Sequence, residues 1–498
     1  MAPCGTAFGT FRSCPSKREI RLAPPFALHS LDASLHDLVA DHPGETGAML
    51  LDDNLDAFAA RALSVRAATR TLDLQYYMWH PDMTGRLLGR EMLKAAARGV
   101  RVRLLIDDIK LHGLDDTMLA LDRHPGIDVR IFNPGRVRKH AIGRVIEMLL
   151  RAVRMNCRMH NKLWLADDTV AILGGRNIGD EYFDASKVAN FHDADVLAVG
   201  AVVAECRLAF ERYWHSPLAV RIADLHPGQH TEPDAPDDVF DALAEQPDAH
   251  PYLKRIEADE SVRALVTGKL PLHWTTQARL AVDPPDKRDR ALTDAWIVHD
   301  VARAIESATR DVFIISPYFV PGDRGVAQLA ALTARGVSVT VLTNSLAATD
   351  VAAVHSGYAR YREALLRAGV AIFELRPDAK TRLRLFGSST ASLHTKAFTV
   401  DDRIAFVGSF NFDPRSVSLN SEMGLFFDQP ALLASLRARG MAQTAPGNSF
   451  RVTLDQGRLR WQSDASADGR VWRREPEAGI GRRLLAACLR FLPITSQL

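Results

Sequence analysis

Two copies of one polar pattern constrain this chain more than any other feature. The stretch RMHNKLWLADDTVAILGGRN begins at Arg158, and LHTKAFTVDDRIAFVGSFN begins at Leu393. His160, Lys162, Asp167, Gly174, Gly175 and Asn177 recur as His394, Lys396, Asp401, Gly408, Ser409 and Asn411, with every offset kept. A repeat spaced this widely is a duplicated domain, not a solenoid. The 498 residues are also too many for one ordinary core.

The duplication extends beyond the motif. Residues 72–79 read as a strand, 85–99 as an amphipathic helix and 100–108 as a buried strand. Residues 311–320, 325–336 and 337–345 repeat that series, with Gly99 and Gly336 ending the helices. Residues 126–134 and 369–377 add a further strand to each half. Apolar β-branched runs after a helix fit parallel strands covered on both faces. The expected fold is therefore α/β: two similar α-β-α lobes related by a pseudo-two-fold axis. We divide the chain into an extension (1–45), a first lobe (46–225), a Pro- and acid-rich connection (226–255) and a second lobe with a C-terminal amphipathic segment (256–498).

HNKLWLA and HTKAFTV alternate and read as strands, which puts His160 with Lys162, and His394 with Lys396, on one face. Asp-Asp and a second apolar run follow each, a hairpin signal. A turn centred after Asp168 sets Lys162 opposite Gly175 and His160 opposite Asn177. The second copy sets Lys396 opposite Ser409 and His394 opposite Asn411. Lysine charge, amide donors and a small neighbour suit phosphoryl oxygens. Histidine supplies a nucleophilic or proton-transferring nitrogen near neutral pH. Two such sets can bracket one phosphorus, with one imidazole attacking and the other protonating the leaving oxygen. The lysines supply the charge stabilisation, so this chemistry calls for no metal or other cofactor. Asp167 and Asp401 sit at the turns and are candidates, although aspartate there usually binds backbone. Each imidazole needs an orienting acceptor. Downstream of His160 the candidate is Asp193, with Asp195 as rival; downstream of His394 it is Glu422.

The double H-x-K-x4-D-x6-G-G/S-x-N pattern resembles the duplicated signature of the phospholipase D superfamily. The resemblance covers residues 46–498 and is strongest to bacterial cardiolipin synthases without transmembrane helices. LDLQYYMWHPDMTGRLL, GGRNIGDEYF, FHDADVLAVG and GSFNFDPRSVSLNSEMGL carry it. It implies that His160 and His394 are nucleophile and acid/base, in unassigned order. It implies that Lys162, Lys396, Asn177 and Asn411 hold the phosphate. It further implies a phosphatidyl-histidine intermediate, resolved by an alcohol or by water; in the cardiolipin reaction the alcohol is the glycerol head group of phosphatidylglycerol, and the donor is a second phosphatidylglycerol or phosphatidylethanolamine. Ser409 stands where the first copy has Gly175, so a hydroxyl contact to phosphate is expected in one half only.

A net charge of +2 gives no global field for nucleic acid, and no nucleic-acid partner is expected. Anionic phospholipid is the expected substrate class; nothing identifies a small accessory protein. Five scattered cysteines without C-x-x-C fit a reducing compartment. The N-terminus reads without a signal peptide, and no segment reaches the ~18 apolar residues of a bilayer span. We therefore expect a cytoplasmic protein, peripheral on the inner membrane. The basic amphipathic stretch 135–158 and the leucine-rich 481–498 are candidate lipid contacts, as are Arg176 and Arg415 for head groups or phosphate. The competing readings are a hydrolytic phospholipase D, a nuclease and an inactive lipid-binding scaffold.

Overall fold

Strand-forming segments alternate with helices along both halves, and the computed structural model gathers them into two large sheets. It describes residues 30–111, 113–135, 156–226, 249, 253–254, 269–377, 390–463 and 470–490. Most of stretch 135–158, most of the 226–255 connection and residues 491–498 lie outside the described residues.

The first half supplies β1 (Thr46–Leu51), β2 (Thr71–Tyr76), β3 (Arg101–Asp107), β4 (Ile127–Phe132), β5 (Leu163–Ala166), β6 (Val170–Gly174), β7 (Ala189–His192), β8 (Asp195–Gly200) and β9 (Ala219–Arg221). The second supplies β10 (His273–Thr275), β11 (Arg279–Val282), β12 (Asp311–Ile315), β13 (Ser338–Asn344), β14 (Ala371–Leu375), β15 (Thr390–Leu393), β16 (Ala397–Val400), β17 (Ile404–Gly408), β18 (Met423–Phe427), β19 (Ser449–Asp455), β20 (Arg458–Gln462) and β21 (Val471–Trp472). Sheet one runs β10-β1-β8-β6-β5-β2-β3-β4-β9; sheet two runs β11-β18-β17-β16-β12-β13-β14-β19-β20-β21. From β1 to β9 and from β11 to β19 the two orders correspond strand for strand. Directions correspond too: β2-β3-β4 and β12-β13-β14 are parallel, and the motif hairpins β5-β6 and β16-β17 are antiparallel. Strand β10 lies beyond the connection and still hydrogen-bonds to β1 of sheet one.

The βαβ reading holds in detail. Helix Met83–Ala97 joins β2 to β3, and helix Gly322–Ala334 joins β12 to β13. Gly99 (φ 96°) and Gly336 (φ 85°) take the left-handed conformation that ends each helix. Asp82 caps the first of these by accepting from Gly85 N.

Each lobe has its own apolar core, lobe two with a small second cluster around Phe313 and Leu342, and a further core lies between the lobes. There Leu163, Leu173 and Val196 of sheet one meet Ala405, Val407 and Leu425 of sheet two. Helices Ala201–Trp214 and Pro430–Thr444 close it with Phe210, Trp214, Leu432 and Leu436. Burial of this shared face fixes how the motif hairpins confront each other.

The hairpin register differs from expectation by one residue. Leu163 pairs with Leu173 and Ala166 with Val170; Ala397 pairs with Val407 and Val400 with Ile404. The loop therefore has three residues, not two. Asp167 and Asp168 (φ 55° and 56°) and Asp401 and Asp402 (φ 52° and 50°) are left-handed, which aspartate tolerates better than most side chains. Lys396 consequently lies opposite Gly408, whose N–H donates to its carbonyl, rather than opposite Ser409.

Candidate active site between the lobes

His160 and Lys162 lie just before β5, and His394 and Lys396 lie between β15 and β16, so neither pair is inside a strand as expected. Backbone bonds across the lobe boundary hold them instead. Ser421 N donates to Arg158 O (2.8 Å), and His160 N donates to Ser421 O (2.9 Å). On the other side His394 N and Thr395 N both donate to His192 O (2.7 and 2.9 Å), where β15 runs parallel to β7. Each contact brings the next residue, Glu422 or Asp193, beside the other lobe's imidazole.

The carboxylates are therefore crossed. Glu422 Oε2 lies 2.8 Å from His160 Nδ1, and Asp193 Oδ2 lies 2.6 Å from His394 Nδ1. Our expectation had paired each with the histidine upstream in its own half. Engaging Nδ1 in this way leaves Nε2 of each ring for chemistry. Asp195, the rival, is absorbed elsewhere: it pairs with Arg61 (2.8 Å) and Arg176 (3.3 Å), all three buried.

Small neighbours make room for the two acids differently. Ser409 Oγ donates to Glu422 Oε2 (2.5 Å), and Ser416 Oγ donates to Oε1 (2.8 Å). A Cβ on Gly175 would stand 2.2 Å from Asp193 Oδ1, so glycine is what admits this acid. Asp283 adds a backbone clasp, accepting from Glu422 N at 2.9 Å.

The site is buried and densely charged. Burial lowers His160 to about 4, with Lys162 acting the same way against the pull of Glu422. Burial and Lys396 also lower His394. Burial opposes ionisation of Glu422 and Asp193, but their histidine and lysine neighbours outweigh it and hold both below the usual carboxylate range. Burial pushes Lys162 well down and brings Lys396 to about 8. Both ammonium groups are drawn back up by both Glu422 and Asp193, so the two motif copies form one electrostatic unit.

Lys162 Nζ donates to His160 O (2.6 Å), and Lys396 Nζ lies 3.0 Å from His394 Nδ1. Asn177 Nδ2 donates to Tyr182 Oη (2.8 Å). The Oδ1 atoms of Asn177 and Asn411 are buried without a partner, a state that a bound polar group explains. Aromatic rings wall both imidazoles: Tyr77 edge-on to His160 at 4.9 Å, Tyr182 edge-on to His394 at 5.1 Å, and Phe191 stacked on His394 at 5.0 Å.

Comparison with known proteins accords with this geometry. The family model described as "Cardiolipin synthase, PLD-like domain" matches residues 64–214 and 301–439. The chain belongs to this phospholipase D-like family. Cardiolipin synthase C of Escherichia coli (strain K12) is 40% identical over 476 residues, spanning 93% of this chain and 98% of that protein. Cardiolipin synthase A of Pseudomonas entomophila (strain L48) is 29% identical, spanning 76% of this chain and 64% of its own length. A crystal structure of phosphatidylserine synthase from Haemophilus influenzae superposes with a TM-score of 0.57 at 14% identity, covering 94% of this chain and all of that one. The similarity to it is one of fold.

Within the family signature, several residues serve the scaffold. Asp167 accepts from Thr69 N, Arg70 N and Thr71 N at 2.8–2.9 Å. Asp401 repeats this with Thr309 N, Arg310 N and Asp311 N at 2.7–2.8 Å, and these amides hold its carboxyl far below the usual range. Both tie the hairpin turn to the start of the neighbouring strand, β2 or β12, and are corrected from candidate catalysts to clamps. The Ser409 hydroxyl is likewise spent on Glu422, not offered to phosphate. Arg176 is fully buried against Leu51 O, Asn54 Oδ1 and Asp193 O, which rules out a head-group contact for it. Arg415 reaches across the lobes to Asn156 Oδ1 (2.7 Å). Sequence reasoning missed Tyr77, Tyr182, Phe191, Ser416 and Asp283. Tyr77 falls in the segment 72–79 that reads as a strand, and alternation there does not mark it as a ring beside a catalytic imidazole.

Proposed function

We infer that this protein is a phosphatidyltransferase that makes cardiolipin from phosphatidylglycerol and a second phospholipid. The observation that carries the reading is the pair of crossed imidazole–carboxylate contacts at one buried, lysine-rich site. One histidine Nε2 attacks the phosphorus of the donor lipid, forming a P–N bond. The bond to the head-group oxygen breaks, and that oxygen takes the proton carried on the other histidine's Nε2. The primary hydroxyl of phosphatidylglycerol then attacks phosphorus, returns a proton to that second histidine and displaces the first. Lys162 and Lys396 offset the charge on the non-bridging oxygens through both steps. Glu422 and Asp193 fix the tautomers and stabilise each imidazolium as it forms.

Such a reaction needs access to lipid. Among the described residues no helix is long and apolar enough to cross a membrane, and the contact proposed here is peripheral. Helix Ile480–Leu489 supports it. No residue of that helix is buried, and Ile480, Leu484 and Leu485 are 74%, 62% and 52% exposed. Arg482, Arg483 and Arg490 give it positive charge suited to an anionic surface. It packs on helix Ala352–Tyr358, where Ser356 Oγ donates to Ala486 O (3.0 Å). The preceding loop carries exposed Val351 and Asp350, whose charge acts on His394 and Lys396. The helix thus adjoins a loop whose charge reaches the site.

The test is turnover of labelled phosphatidylglycerol by purified protein, with and without phosphatidylethanolamine. Cardiolipin with released glycerol or ethanolamine is expected and identifies the donor. Phosphatidic acid alone would turn the reading to a hydrolase, and turnover surviving in both His160→Ala and His394→Ala would sink it.

A further inference from the structure

The two lobes match in their polar chemistry and differ beside it. In lobe one, Trp79 bridges to Ile178 just after Asn177; in lobe two, Phe319 bridges to Phe412 just after Asn411. His80 N and Val320 N donate to the same positions, Ile178 O and Phe412 O. Beyond this shared point lobe one carries a network of polar groups. Asp82 accepts from Gly85 N and Asp180 N, Asp180 accepts from Thr84 N, and His80 lies 3.4 Å from Glu181.

Lobe two has a cavity of about 500 Å³ in that place, between helices Ile297–Glu306 and Gly322–Ala334. Trp296, Ile305, Phe319, Leu329, Phe410 and Phe412 line it. Its volume falls within the ~300–1,000 Å³ of small-molecule sites, and its walls are mostly apolar and aromatic, with His299, Glu306, Arg324, Gln328 and Asp413 as polar members. Two wall residues, Phe410 and Phe412, flank Asn411, whose Oδ1 is buried and unpartnered. A third, Asp413, acts electrostatically on Lys396 and Glu422. One wall is therefore shared with the catalytic site, with the site's polar groups beside it and a mostly apolar cavity behind it. An amphiphile with its phosphate at the histidines matches that polarity.

We propose that this cavity receives one acyl chain of the phospholipid whose phosphodiester sits between His160 and His394. The inference rests on the phosphatidyltransferase reading and adds to it an acyl subsite in lobe two, at a place where lobe one carries a polar network. Each methylene withdrawn from water strengthens binding, so shortening the chains of soluble phosphatidylglycerols raises KM about fourfold per methylene lost from the cavity.

A direct test uses vesicles of phosphatidylglycerol with a diazirine at the end of one acyl chain. Full-length protein is photolysed with them and the labelled peptides are mapped. The expected label falls on helices Ile297–Glu306 and Gly322–Ala334. It drops at least tenfold in Val417→Trp and in Ala302→Trp, which fill the cavity from two walls at positions open enough to keep the fold. Circular dichroism confirms folding, and either filled variant alone suffices for the comparison. Label confined to helix Ile480–Leu489, or undiminished in a folded filled variant, overturns the proposal, as does a KM indifferent to chain length. Labelling needs no turnover. A protein that labels these helices yet makes no cardiolipin keeps the lipid site and loses the reaction.

Discussion

At the scale of residues, the histidines depend on acids contributed from across the boundary. Glu422→Gln keeps the shape of the His160 contact but no longer supports an imidazolium, and turnover should fall about 10²–10⁴-fold. The same change should move the His160 ring titration in NMR and leave that of His394 nearly in place; the reverse result would mean uncrossed pairing. Lys396 sets an alkaline limit. It must be charged to serve phosphate, and burial brings it to about 8. Lys162 is pushed down as well, so kcat/KM should already be declining as pH rises through about 8, and Lys396→Arg should remove the part of the decline that Lys396 causes. The types of these residues were legible from the doubled motif because their offsets are rigid. Their partners were not: distance along the chain favours a same-lobe acid, and only the bridges at Ser421 and His192 reverse that preference.

At the scale of elements, the two hairpins are held by their turn acids. Asp167→Ala leaves three backbone amides without their acceptor, a loss of about 3 kcal/mol visible as a lowered Tm. Diester cleavage per folded molecule should persist, because this carboxylate touches no part of the imidazole pair. A catalytic role would instead show as lost turnover at unchanged Tm. Buried Arg61 is more critical to the fold. It donates to Tyr76 Oη, Ala57 O and Asp195 Oδ2, and Arg61→Met should cost about 3 kcal/mol by leaving that buried acid with Arg176 alone and Tyr76 Oη without its donor. Apolar periodicity and the helix-ending glycines showed the βαβ units within a few residues. The hairpin register escaped because paired left-handed aspartates add a loop residue, and nothing in composition separates a two-residue turn from a three-residue one.

At the scale of the molecule, the shared core makes the lobes interdependent. A chain ending before β11 would expose Leu163, Leu173 and Val196, and β10 ties the second half to the first sheet. Lobe one expressed alone should aggregate and lack activity. Mixing full-length His160→Ala with His394→Ala should not restore turnover, since each molecule keeps one intact and one ruined imidazole. Recovery on mixing would show that lobes exchange between chains. The crossing of acids makes reciprocity a property of the whole chain: neither half holds a histidine together with the acid that orients it. The two halves are free to differ in what stands behind each acid, bare backbone at Gly175 and a hydroxyl at Ser409.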